Sequence, residues 1–542
     1  MKRTDILYTC LLATALTAGS CSSSFLDVEP VTDVLENNFY KNVADADMAL
    51  VGCYDGYQRT VSNGSLAFNV ASDIMSDQAF GATGITDSRA YQVLDRFNPS
   101  EAPSENNIFD GTWTDYYAAI YRCNVLLSKL DETDFTSDPD ARARIEGETK
   151  FLRGLLYFDL VRLFENIPLL AEPSTANLPQ ANPKETYDLI VADLQFAAQS
   201  ISADAYPKAK ATTNDGRATT YAAKSLLARV YLFYSGYYGK EDLSVSKADV
   251  LAGLEDVINS GEYALVDDFS SLWPASSYVP MEEDNTLDRS NYAGEGNQEI
   301  VFAQKFTGTQ DYNGNNDGNR WLVMLGLRGI NASPYGQGWG ACTVSKRFVN
   351  SFSANDTRKT ASIIDIDGEG IVGFNIGDQR EYTGYAIKKY TPTALPDGTS
   401  NTGGEKDFQI SQDQDYFVMR YADVLLMAAE LGSGNAQSYF DQVRKRAYKD
   451  NFSALAATKV NILNERKFEF AFEGIRYWDV LRGGLESAAS SLAFSESVLS
   501  GSAEEQVVIS RENFLSTRGF MQIPNNQITL SNGVLVQNDG WK

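Results

Sequence analysis

The sequence contains no histidine at all. That single absence excludes Ser-His-Asp and Cys-His catalysis, histidine metal sites and histidine pH switches. Any chemistry must use carboxylates, tyrosines and lysines, or be binding alone. Cysteine is scarce, with five in the chain. Cys53, Cys123 and Cys342, the three outside the first 21 residues, are odd in number and have no CxxC spacing. This excludes a disulfide framework and a zinc site, and buried free thiols are the expected state. Basic residues are outnumbered 46 to 72, leaving a net charge of −26 that repels phosphates and excludes a nucleic-acid partner. No apolar run reaches the roughly 20 residues of a membrane-spanning helix. What remains is 542 residues, 43% of them hydrophobic, enough for a sizeable core and about two to four domains.

The amino terminus carries an export pattern. Lys2 and Arg3 precede an apolar run from Ile6 to Ala18, and Ala18-Gly19-Ser20 leads into Cys21. The arrangement resembles a bacterial lipobox and departs from it at Ala18, where leucine or valine is usual. It implies a signal peptide over 1–20, cleavage before Cys21 and lipid on the Cys21 thiol; an ordinary signal peptide is the alternative. Two or more acyl chains anchor stably where one does not, so Ser22-Ser23-Ser24 would begin a leash on a membrane surface.

Apolar residues at three- and four-residue spacing predict helices over Thr112–Leu130, Arg144–Phe164, Lys184–Ile201, Thr219–Phe233 and Asp415–Leu431. Asp138-Pro139 and Asn182-Pro183 mark helix starts, a capping side chain before proline. Paired helices of this kind predict a tetratricopeptide-like scaffold with degenerate repeats. Between about Phe269 and Gln414 the helical period is lost and Gly, Asn, Asp and Ser become frequent. Short strands are expected there at Glu299–Ala303 and Ser362–Ile364. Loops on a rigid scaffold are where binding resides.

Several motifs in order resemble the SusD/RagB family of outer-membrane nutrient-binding lipoproteins. They are Cys21-Ser-Ser-Ser-Phe-Leu-Asp27, Lys150-Phe-Leu-Arg-Gly-Leu-Leu-Tyr-Phe-Asp-Leu-Val-Arg-Leu-Phe164 with Ile167-Pro168, Tyr187-Asp-Leu-Ile190, and Gly216-Arg-Ala through Tyr231. Arg420-Tyr-Ala-Asp-Val-Leu-Leu and Glu465-Arg-Lys-Phe-Glu-Phe-Ala-Phe-Glu-Gly-Ile-Arg-Tyr-Trp-Asp479 continue the match, and Ile523-Pro524 with Gln537-Asn538 resemble the tail. The resemblance implies a mainly α SusD-like fold carrying a loop-rich region with short β-strands. It places an N-terminal helical domain at 21–265 and a C-terminal domain at 266–542. The latter comprises a ligand-binding region (266–414) and closing helices (415–485).

The charged motif residues are expected to be structural. Asp159 and Arg162 can pair at three-residue spacing. Glu465, Glu469 and Glu473, spaced by four beside Arg466, Arg476 and Arg482, predict a satisfied ion network rather than a glycosidase pair. Gly368-Glu-Gly370-Ile-Val-Gly373 fits G-x-G-x-x-G, but no helix pattern follows, so a glycine-rich hairpin is expected and no cofactor is assigned. Asp365-Ile-Asp367-Gly-Glu369 mimics the opening of a calcium loop, with Ile376 where the closing glutamate belongs. Asp311–Asn319 is also oxygen-rich. A structural calcium is the alternative there to solvated turns, and no metal ligand is assigned.

Aromatic residues make up 12% of the chain. Flat sugar faces stack on Trp and Tyr, and their hydroxyls need Asp, Asn, Gln or Arg nearby. Trp113 and Trp478 fall on apolar patterns and read as core. Trp321 and Trp339 lie among glycines and polar residues, with Asn319, Arg320, Tyr335 and Gln337 alongside. The resemblance adds a loop in the N-terminal third, Ser76 to Phe97, containing Asp77, Phe80, Arg89 and Tyr91. These ten are the candidate ligand-binding residues, with a satellite hydrophobic cluster as the alternative. The implied function is a non-catalytic, surface-exposed, lipid-anchored outer-membrane protein. It would bind a glycan and pass it to a TonB-dependent SusC-like barrel. A peptide-binding relative, a surface glycoside hydrolase and a pure interaction scaffold are the alternatives.

Overall fold

A computed structural model of the chain describes residues 39–61, 66–206, 216–309, 317–403 and 407–542. Cys21 and the leader lie outside the described residues, as do Asp311 to Asn316 of the oxygen-rich stretch.

Six helices build the first half: α1 (Val43–Gln58), α2 (Asp110–Lys129), α3 (Pro139–Phe164), α4 (Pro183–Ser200), α5 (Thr220–Tyr238) and α6 (Lys247–Asn259). The expected caps are present. The Asp138 carboxylate accepts from Ala141 N at 3.3 Å, and Asn182 with Glu185 forms a capping box at the start of α4. Each helix packs on the next. Phe151, Leu152, Leu155, Leu156, Phe158 and Val161 of α3 are all buried, each contributing about 1.5–3 kcal/mol. Asp159 pairs with Arg162 at 2.6 Å, and Trp113 and Trp478 are core.

After α6 the chain leaves the stack for some 160 residues and returns to it. α7 (Tyr421–Glu430) packs directly on α6, then α8 (Ala436–Tyr448) on α7. The loop-rich region is thus an insertion between two helices that are neighbours in the stack. One hydrophobic core runs from Ala46 to Trp541 without a break at residue 265. Cys53, Cys123 and Cys342 are buried free thiols.

Four short strands tie the insertion down: β1 (Ala79–Ala82), β2 (Ile300–Gln304), β3 (Ala341–Val344) and β4 (Tyr416–Arg420). β4 corrects the helix expected over Asp415–Leu431. Its five residues are buried on both faces and pair antiparallel with β2, Tyr416 opposite Gln304. A short apolar run of this kind has no period that separates strand from buried helix.

The glutamate motif, for all its four-residue spacing, is not one continuous helix. α9 (Lys459–Glu469) ends before Glu473, and α10 starts at Arg476 (Arg476–Leu481). Gly474 turns the chain at φ +68°, and a Cβ there would sit 2.8 Å from the Asn69 backbone. Glu473 therefore reaches its partners from a turn.

Candidate functional site

β1 and β3 pair antiparallel, Phe80 opposite Thr343 and Ala82 opposite Ala341. This brings together the two regions singled out in the sequence, because the loop after β1 then lies against residues 328–340. Thr83 N donates to Gly340 O at 3.2 Å, and Gly84 bridges to Gln379.

The loop is held from beneath. Buried Arg380 donates to three of its carbonyls, those of Ile85 (2.8 Å), Asp87 (3.0 Å) and Ser88 (3.3 Å). Buried Glu381 accepts from Ala82 N at 2.8 Å and pairs with Arg96. Such a scaffold fixes the loop before any ligand arrives.

Arg328 lies across the seam. It donates to Asp378 Oδ2 and Asp87 Oδ2, each at 3.1 Å, and to Trp339 O at 3.4 Å. Gly84 permits this, since a Cβ at that position would fall 1.9 Å from the Arg328 guanidinium. Both aspartates keep about 41% of their side chains exposed. Trp339 is half-buried, packed against the main core and fixed through its backbone N–H to Val323 O at 2.7 Å. A partly exposed tryptophan, a guanidinium and two carboxylates thus share one rigid ledge. It can stack a ring and hydrogen-bond hydroxyls; Arg328 occupies both carboxylates.

The ten sequence candidates divide. Trp339, Gln337, Arg89 and Arg320 reach the surface. Arg89 is engaged by Glu101 at 3.0 Å and Glu505 at 3.5 Å. Tyr91 is partly buried behind the ledge, its hydroxyl 3.8 Å from Met324 Sδ. The other five are structural, which corrects the expectation for them. Trp321 is fully buried edge-to-face with Tyr390 (5.1 Å) and Tyr416 (5.5 Å), so neither face can meet a sugar. Asn319 is buried and spends its amide on Gln414 O (2.7 Å) and Leu322 N (3.2 Å). Tyr335 is buried against the insertion's small second core and donates to Glu369 at 2.6 Å. Phe80 packs on Phe494, and Asp77 is clamped by Arg476 through two bonds of 2.7 Å.

Arg328, Asp87 and Asp378 went unseen in the sequence, since isolated charges in a polar loop carry no period or motif. In the calcium-like turn, Glu369 accepts from Tyr335, Lys388 (3.2 Å) and Asp365 N (3.2 Å). Among the described residues no group of three or more acidic or thiol side chains is placed to hold a metal ion. Nor is any described helix long and apolar enough to cross a membrane.

Residues 24–232 match a family described as "Starch-binding associating with outer membrane", and residues 369–541 match the SusD family. SusD-like protein P25 of Formosa agariphila is 26% identical over 500 residues, covering 86% of this chain and 88% of that one. Among solved structures, a laminarin-binding SusD-like protein is 27% identical with a TM-score of 0.69, over 92% of this chain and 99% of its own. Surface glycan-binding protein A from Bacteroides thetaiotaomicron, in complex with laminarihexaose, shares the fold at 22% identity and a TM-score of 0.69. It covers 92% of this chain and 100% of its own.

Proposed function

The chain belongs to the SusD family, and from that premise we propose that it binds a glycan on the Trp339–Arg328 ledge and hands it to a SusC-like outer-membrane barrel. The observation that carries the reading is Trp339, partly exposed on a loop pair that is rigid beneath it and polar around it. Stacking supplies affinity for a sugar face, while Arg328, Asp87 and Asp378 supply donors and acceptors for its hydroxyls. That a structural neighbour of 27% identity is a laminarin-binding protein supports a glycan as the ligand class.

No bond is made or broken in this reading. Glu469 and Glu473, the carboxylates of the glutamate motif weighed as a glycosidase pair, are fully buried among arginines and a lysine, where no sugar can pass between them. Lipid on Cys21 keeps the protein at the membrane; Cys21→Ala should move it from the membrane to the soluble fraction.

The test is native electrophoresis of residues 22–542 through gels containing single polysaccharides, with reducing ends assayed in parallel. Retardation without new ends, lost in Trp339→Ala, is expected. New reducing ends, or retardation unchanged in Trp339→Ala, would overturn it.

A further inference from the structure

A cavity of about 430 Å³ opens in the insertion, with Leu322 of the short helix Leu322–Leu325 in its wall. Its wall comes from three segments. Tyr278 and Tyr292 flank a hairpin and meet edge-to-face at 5.6 Å. Arg289 lies 5.1 Å over the Tyr278 ring and donates to Asn401 Oδ1 at 3.3 Å. Asn401 is held in turn by Thr393, to whose hydroxyl it donates at 2.7 Å. Asp413 exposes its carboxylate in the cavity wall. Gly403 allows this, since a Cβ there would lie 2.9 Å from Asp413 Oδ2. The hairpin turn is fixed by Asn285, which exchanges bonds of 2.8 and 2.9 Å with Asp397.

Two details point to a ligand. The Tyr292 hydroxyl is buried with no hydrogen-bond partner among the described residues, and a polar group left so requires an answer. Beside it Glu295 accepts from Asp415 N at 2.8 Å, and burial together with the Asp415 carboxylate pushes its pKa up to about 8. Both effects favour its protonated form.

The ligand chemistry follows by elimination. A phosphate or carboxylate would face Asp413 and the Glu295–Asp415 pair. A bare ammonium would face Arg289. An apolar molecule would leave Asp413 and the Tyr292 hydroxyl unanswered. An amino-acid zwitterion satisfies the two charges and leaves the Tyr292 hydroxyl unanswered. A ring with hydroxyls around its rim answers all of them, and 430 Å³ lies within the range of small-molecule sites.

We propose that this cavity is a second carbohydrate site, taking a single neutral hexose unit between Arg289, Asn401, Asp413 and the Tyr278–Tyr292 pair. It rests on the reading of the protein as a glycan binder and acts independently of Trp339.

The experiment is saturation-transfer NMR of the purified protein with glucose, galactose and mannose, run beside the polysaccharide gels. Saturation transfer to at least one hexose is expected, reduced at least tenfold in Asp413→Ala and in Arg289→Ala, both surface changes whose folding is checked by melting curves. Trp339→Ala should keep the hexose signal while losing retardation. Signal unchanged in both pocket variants, or no transfer to any of the three hexoses, would overturn the pocket and leave the ledge standing. A dipeptide of glycine that binds and is lost in Asp413→Ala would replace the sugar with a zwitterion. If neither hexoses nor polysaccharides bind, the glycan reading falls with the pocket.

Discussion

The Arg420 guanidinium is clasped by Glu473 through two parallel bonds, Nε to Oε2 at 2.8 Å and Nη2 to Oε1 at 2.9 Å, with both side chains sealed from water. Arg420 ends β4 and Glu473 sits in the turn before α10, so the pair joins the two strongest motifs of the sequence. Around it, Glu469 receives Arg446, Arg420 (3.1 Å) and Arg358 (3.2 Å), while Lys389 reaches Glu473 at 2.6 Å. Removing one member strands the others. Glu469→Gln should destabilise the protein by about 3–5 kcal/mol, measured by urea unfolding. A cost below about 1 kcal/mol would mean the lattice is far less sealed.

The same lattice sets an acid limit. Burial raises the pKa of Glu469, but Arg446, Arg420, Arg358 and Lys389 outweigh it and bring the group to about 2. A carboxyl depressed in this way binds fewer protons folded than unfolded, so its stabilisation is complete above about pH 4.5 and drains away towards pH 2. Melting temperatures should fall across that interval, and Glu469→Gln should fall less steeply. Parallel curves would show that other carboxyls govern acid unfolding.

These relationships mark how far the sequence was legible. Charges at four-residue spacing inside apolar motifs announced a satisfied network, and one is there, but the motif's own arginines answer other carboxylates: Arg466 pairs with Asp423 and Asp479, Arg476 with Asp77, and Arg482 with Glu430 and Asp479. The network's distant members, Arg358, Lys389, Arg446 and Glu299, come from segments with no shared period, so only the fold unites them. Trp321 and Trp339 sit in similar glycine-rich surroundings, yet one is sealed by Tyr390 and Tyr416 and the other packs on the core while staying partly exposed. Composition cannot distinguish them, because tertiary contacts decide which face of a loop is covered.

That contrast is measurable. Trp321→Ala opens a core cavity and should cost about 3–5 kcal/mol, read as a lowered urea midpoint. Trp339→Ala should shift the midpoint much less and yet abolish retardation in the glycan gel. Equal losses of stability would place Trp339 in the core and remove it from the ledge.

Gly84→Ala tests the ledge without touching Trp339. The new methyl would fall 1.9 Å from the Arg328 guanidinium, which must leave Asp87. Losing one charge-assisted contact to a hydroxyl is worth about 1.5–3 kcal/mol, roughly ten- to a hundredfold in affinity. Gly84→Ala and Arg328→Ala should weaken glycan binding alike, and the double variant should add nothing further. Additive losses in the double variant would separate the glycine from the arginine.

Glu295 gives the opposite pH signature to Glu469. It is raised from 4.5 to about 8, so between those values the folded protein keeps a proton that the unfolded chain has released. Stability conferred by that proton is complete below about pH 4.5 and is lost as pH climbs towards 8. Glu295 and Asp415 interact, so their titration belongs to the pair, and the difference between variants is the readable quantity. Glu295→Gln is neutral throughout and should gain on the wild type steadily from pH 5 to pH 8 in melting temperature. In the cavity the same ionisation replaces a donor with a second negative charge near Asp413. Hexose binding should therefore weaken above pH 8 in the wild type and stay level in Glu295→Gln. If both proteins show the same pH profile in both measurements, Glu295 is ionised at neutral pH and the cavity is acidic rather than neutral.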